Sequence, residues 1–167
     1  MGYNAKVKLQ TDYIRNLIFG TEDALVSTVG VLFGVASSGK YTANQTILTG
    51  LIVIAVESIS MGVGSFLTEE SVHEIDKTTH KDNSLIGAGI MFLSYFLAGM
   101  ATIAPYGLIQ TGVAKYVSVG IALVLLFLLG LIPKRRTKDG VRMVIVAGLA
   151  ILVGFLIGRF DTFGILF

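Results

Sequence analysis

The sequence predicts an all-α integral membrane protein with five transmembrane helices, and three observations carry that prediction. The first is composition: of 167 residues, 53% are hydrophobic and 14% charged, with a mean hydropathy of +0.77. A soluble chain this small has too much surface for its volume to hide that much apolar area. The second is that five stretches reach the roughly 20 apolar residues needed to cross about 30 Å of hydrocarbon. The third is that basic residues gather in alternate breaks between those stretches, as membrane topology demands.

Taken in order, the expected spans are Leu17–Ser38, Thr46–Leu67, Ser84–Tyr106, Gly112–Pro133 and Val141–Gly158. The breaks between them are short, so residues 1–167 form a single five-helix transmembrane domain. Lys6, Lys8 and Arg15 precede span 1, Lys77 and Lys81 follow span 2, and Lys134, Arg135, Arg136, Lys138 and Arg142 follow span 4. These hold ten of the 13 Lys and Arg; only Lys40, Lys115 and Arg159 fall on the other side. The N-terminus is therefore expected in the cytosol and the C-terminus outside, with Tyr41, Tyr106 and Tyr116 at the outer interface. A formal net charge of +2 favours no nucleic acid, and zero cysteines exclude disulfides, zinc-thiolate sites and thiol chemistry. No phosphate loop, nucleophile–His pairing or nucleotide fingerprint occurs, so neither an enzyme nor a bound cofactor is expected. Twenty glycines point to closely packed helices.

Carboxylates within apolar runs are the informative feature, because a charge at depth costs several kcal/mol and is retained where it has a use. Span 1 carries Glu22 and Asp23, and span 2 carries Glu57. Glu22 is long enough to reach headgroups; Asp23 is not, and needs a polar interior. Gly20, Asp23, Ser27, Gly30, Gly34 and Ser38 recur at three- and four-residue steps, one stripe of a helix. Within it, Gly30 and Gly34 form a small-xxx-small pair that admits another backbone. In span 2, Glu57, Ser60, Met61 and Gly64 share a face. Met61 reads either as core or, one turn from a carboxylate, as a thioether ligand for a late first-row metal. Asp23 lies about six residues into span 1 and Met61 about six from the inner end of span 2, each roughly 9 Å deep. Those two residues therefore fit one level, with Glu57 a turn further in.

Beyond span 2, the segment Glu69–Asp82 reads E-E-S-V-H-E-I-D-K-T-T-H-K-D. On a continued helix Glu69, His73, Asp76 and His80 would align. The segment reads either as a collector of divalent metal or as a solvated, salt-bridged helix extension with Glu74 and Lys77 paired.

Several runs of the chain resemble the vacuolar iron transporter family: I-F-G-T-E-D-A-L-V-S-T (18–28), G-V-A (34–36), S-I-S-M-G-V-G-S-F-L (58–67) and L-A-G-M-A-T-I-A-P-Y (97–106), with the 118–130 part of span 4. The resemblance implies five spanning helices, pairing as a homodimer, and movement of Fe2+ and related divalent ions out of the cytosol against protons. It implies translocation roles for Asp23 and Met61 on a path between the first helices of two protomers; Glu57 falls where many prokaryotic-looking members carry Asp. The chain departs from the family pattern at Ala24, where Gly is usual, and at Ser65, often Glu. Val53 is acidic in some members, and Thr102 is usually Pro. It also has only Glu69–Asp82 where many members carry a long Glu-rich cytosolic domain.

These readings converge on a proton-coupled exporter of a divalent transition metal, Fe2+ first and Mn2+ next, with the metal ion, protons, the bilayer and a second copy as partners. The expected ligands are Asp23, Glu57 and Met61 within the membrane, with Glu69 and His73 at the inner mouth. The metal is substrate and no cofactor is called for. The host membrane would be a plasma membrane in a prokaryote or a vacuolar-type membrane in a eukaryote. Two other readings use the same carboxylates: a small proton-coupled organic-cation exporter, and a non-transporting assembly subunit.

Overall fold

The computed structural model describes residues 2–75, 83–132 and 137–162. They form five helices: α1 (Gly2–Ser38), α2 (Ala43–Ile75), α3 (Ser84–Leu108), α4 (Thr111–Leu131) and α5 (Thr137–Thr162), with no strand among the described residues. Each contains a stretch long and apolar enough to cross a membrane: Thr11–Ser38, Ala43–Ile75, Ser84–Leu108, Thr111–Leu131 and Gly140–Phe160. The five expected spans are thus present.

Two helices outrun their apolar runs. α1 begins at Gly2 and α2 continues to Ile75, because neither extension contains a proline or an internal glycine to stop it. At 1.5 Å per residue the 33 residues of α2 measure about 50 Å, well beyond the hydrocarbon thickness. Glu69 and His73 consequently ride on the same helix as Glu57 and Met61. Asp76 and His80, the other half of the aligned Glu/His set, lie outside the described residues, as do Lys77, Lys81 and Lys134–Arg136.

Local chemistry sets the helix ends. α1 stops where Gly39 takes φ 71°, a left-handed conformation that costs glycine little. α2 opens on a reciprocal cap: the Thr42 amide donates to Gln45 Oε1 at 2.9 Å and the Gln45 amide to Thr42 Oγ1 at 3.3 Å. Asn83 caps α3, accepting at Oδ1 from the Leu85 amide at 3.2 Å. Pro105 sits inside the last turn of α3, whose missing N–H weakens the ladder just before the helix ends.

α1 is the central element, packed against all four others. One core cluster joins Leu25 and Val29 of α1 to Ala122, Leu126 and Ala147 of α4 and α5; the other joins Leu32 to Ile54, Ile103, Tyr106 and Ala114. The Gly30–Gly34 pair does admit another backbone, and the backbone is that of α5: a Cβ on Gly34 would sit 2.5 Å from the Gly154 carbonyl oxygen, and Gly158 packs on Gly34 in the same way. The stripe read as one face of α1 therefore divides between two neighbours. Its inner part, at Gly20 and Ser27, meets α3 at Ser94 and Tyr95, while Gly30 and Gly34 meet α5.

Tyr106 corrects an expectation. It is not an interfacial ring but 3% exposed, in the cluster with Leu32 and Ile54. Residues of α1, α2 and α4 (Leu32, Ile54 and Ala114) enclose it, whereas Tyr41 and Tyr116 are exposed.

Candidate functional site

The site grows from the register between α1 and α2, which run antiparallel. Arg15 Nη2 reaches Glu69 Oε1 at 3.3 Å, and the Asn16 amide donates to Ser65 Oγ at 3.2 Å. From the Arg15–Glu69 pair, eight residues further into the membrane on each helix lead to Asp23 and Met61, about 12 Å deeper. Counted instead from Asn16 and Ser65, Asp23 falls opposite Ser58, so the two contacts put Asp23 between the levels of Met61 and Ser58, about one turn apart. Asn16 is 3% exposed and donates also to the Gly87 carbonyl at 3.2 Å, so one amide ties together α1, α2 and α3.

Below that tie lies a groove of about 660 Å³, lined among others by Arg15, Asn16, Ser60, Met61, Ser65 and Glu69, with Met91 from α3. Of the five expected ligands it brings together Met61 and Glu69. Asp23, Glu57 and His73 do not line it. Asp23, half-buried on α1, and Glu57, exposed on α2, lie close enough to interact electrostatically, and both act on the hydroxyl of Tyr95. Tyr95 is fully buried on α3 and shares a 2.8 Å hydrogen bond with Ser27 Oγ, one turn from Asp23. His73 stands one turn beyond Glu69 on α2. Among the described residues, no three His, Asp or Glu side chains converge into a group that could hold a metal ion.

Glu69 is already engaged. Arg15 contacts it and also Asp12 Oδ1 at 3.4 Å, so one guanidinium serves two carboxylates. The sequence reading used Arg15 only as a topology marker, and overlooked Asn16, Met91 and Tyr95 as well. A signal was present for Asn16: Asn16, Gly20, Asp23 and Ser27 continue the same helical stripe by one turn. α3 offered a parallel one, since Ser84, Gly87, Met91, Ser94 and Thr102 recur at helical spacing and are all buried.

The donors that line this groove are the Glu69 carboxylate, the thioethers of Met61 and Met91, and the hydroxyls of Ser60, Ser65 and Thr68, with Asp23 and Glu57 outside it. Oxygen donors beside soft sulfur suit a late first-row divalent ion better than Mg2+ or Ca2+.

A bundle of five helices, each long and apolar enough to cross a membrane, is the architecture of an integral membrane protein. A sequence model described as the VIT family matches residues 14–85 and 69–159. The chain belongs to that family, the vacuolar iron transporter family of membrane metal transporters. It is also similar to an uncharacterized protein of Methanocaldococcus jannaschii, 25% identical over 162 residues, covering 85% of this chain and 82% of the relative.

Proposed function

We propose that this protein exports a divalent transition metal, Fe2+ before Mn2+, from the cytosol in exchange for protons, as a pair of copies with the ion path between them. The observation that carries this reading is the position of Glu57. It lies 11 residues after Thr46 and ten before Leu67, so it sits roughly 15 Å from either end of the apolar run, at mid-membrane. In the single chain it is exposed, as are Ser60, Gly64 and Thr68 on the same side of α2. A carboxylate at that depth belongs against protein, water or a bound cation rather than lipid. A second copy laid on this face by a two-fold axis covers it, and doubles every ligand near the axis.

The end bearing Arg15, Glu69 and His73 then faces the cytosol and receives the ion. Asp23 and Met61 form the first membrane site, and Glu57 the deeper one. Metal and protons compete for the same carboxylate oxygens, so protons arriving from outside displace the ion, which is a physical basis for antiport. The test is flux in proteoliposomes. Metal-driven proton movement should be seen with the wild-type chain and lost in Asp23→Asn. Robust flux in that variant would overturn the site assignment, and a wild-type chain that moves neither Fe2+ nor Mn2+ would overturn the function.

A further inference from the structure

We propose that Arg15 is a tethered counter-ion closing the groove's mouth: its guanidinium occupies Glu69 until a divalent cation exchanges for it. This inference rests on the transport reading above and adds to it a residue that selects what enters.

Three observations carry it. Arg15 and Glu69 both line the groove that also holds Met61, so their ion pair joins its α1 and α2 walls beside the thioether. The partners differ in freedom: the Glu69 side chain is 17% exposed, set into the wall, whereas that of Arg15 is 64% exposed on a long, flexible stem. The guanidinium is the member that moves. Finally, Asp12 stands at 3.4 Å from the same guanidinium, one turn back on α1. It offers the arm a resting place once Glu69 is taken, so opening does not leave a free charge behind.

The chemistry of exchange follows. An ion pair this exposed holds its partners weakly and opens readily. A compact divalent ion brings twice the charge to Glu69, whereas a monovalent ion brings no more charge than the guanidinium it would displace. Arginine does not lose its proton in proteins, so the mouth answers to competing cations rather than to proton loss at Arg15. With Arg15 in place the mouth discriminates against monovalent ions. Without it, Glu69 is an open carboxylate that any cation can visit.

The experiment measures flux of Mn2+, a probe stable in air, against its concentration with the full chain in proteoliposomes. Arg15→Gln is expected to lower the half-saturating Mn2+ concentration by about two- to fivefold, the scale of one exposed ion pair, and to let K+ compete where it does not in the wild type. Arg15→Lys keeps the charge without the forked grip, and a smaller fall is expected. In a Glu69→Gln background, Arg15→Gln should bring no further fall. A merely structural Arg15 would lower the maximal rate and leave half-saturation where it was, and that result overturns the proposal. Should Arg15→Gln not fold, an unchanged half-saturation in Arg15→Lys overturns it as well. Flux that is lost in Asp23→Asn but unaltered by Arg15→Gln defeats the gate alone. A silent wild-type chain defeats the transport reading and the gate together.

Discussion

Asn16 and Tyr95 show how single polar groups organise this bundle. Apolar helices gain little by leaving lipid for one another, so interhelical hydrogen bonds and close packing decide which faces meet. Asn16 spends both amide hydrogens across helix boundaries, on Ser65 and Gly87. Asn16→Ala removes both bonds and is expected to cost about 1 kcal/mol. In a chain of this length that lowers the melting temperature in detergent by roughly 3 °C. Tyr95 makes a sharper case, because its ring is packing and its hydroxyl is not. Tyr95→Phe keeps the fully buried ring and deletes the bond to Ser27. The melting temperature should move by no more than about 2 °C, the scale of a fraction of a kcal/mol. Flux should nevertheless fall severalfold, since that hydroxyl bonds Ser27 one turn from Asp23 and lies within electrostatic reach of Asp23 and Glu57. Wild-type flux in Tyr95→Phe would make the residue a packing group only. Asp23 and Glu57 stand out in the sequence because carboxylates in lipid are conspicuous, and Met61 because it lies one turn from Glu57. Tyr95 does not, since an aromatic residue in an apolar run looks like core until its hydroxyl acquires neighbours.

At the level of helices, hydropathy locates where lipid begins, which is a different boundary from where a helix begins. The span starting at Leu17 was legible, but the helix beginning at Gly2 was not, because nothing in a charged, breaker-free lead-in changes hydropathy towards the membrane. α2 repeats the lesson: E-E-S-V-H-E-I is polar yet made largely of good helix formers, so the helix runs on to Ile75. Small residues then set the contacts. α2 buries a narrow seam of Thr46, Gly50, Ile54, Ser58 and Gly62, one residue per turn. α1 meets α5 through Gly30 and Gly34 on one side and Gly154 and Gly158 on the other. Gly154→Leu would drive a side chain into the α1 backbone, which has no rotamer by which to yield. The cost should be at least about 1–3 kcal/mol, as for other overpacked contacts, read as a lower melting temperature and a broadened size-exclusion peak. Gly148→Ala on the same helix is the control. Nothing stands within 4 Å of a Cβ there, so stability should hold or rise slightly. Equal losses in both variants would mean that α5 is not seated on α1 by this glycine contact.

For the whole molecule, the question is what covers the open side of α2. Its seam satisfies α3, and Val56, Ile59 and Val63 suit lipid tails, but Glu57, Ser60, Gly64 and Thr68 suit neither. This polar strip could be found from sequence as a helical face. Its lack of cover could not, because that depends on how the other four helices are arranged. The strip adjoins the groove that holds Met61, so a second copy meeting the first along α2 would close the groove and bring two Glu57 carboxylates towards one axis. The chain contains no cysteine, so a single introduced thiol reports only on its own position. Ser60→Cys and Gly64→Cys, oxidised in native membranes, are expected to give a covalent dimer, since a disulfide forms only where two Cα atoms come within about 7 Å. Leu152→Cys, on an apolar exposed face of α5, should stay monomeric under the same oxidant. Prior addition of Mn2+ should slow the Ser60 and Gly64 crosslinks, because an ion held between the Glu57 residues stands in the oxidant's path. A dimer through Leu152 with none through Ser60 or Gly64 would move the contact to α5. Glu57 would then need water or a different helix to account for it, and the path between copies would fall with the interface.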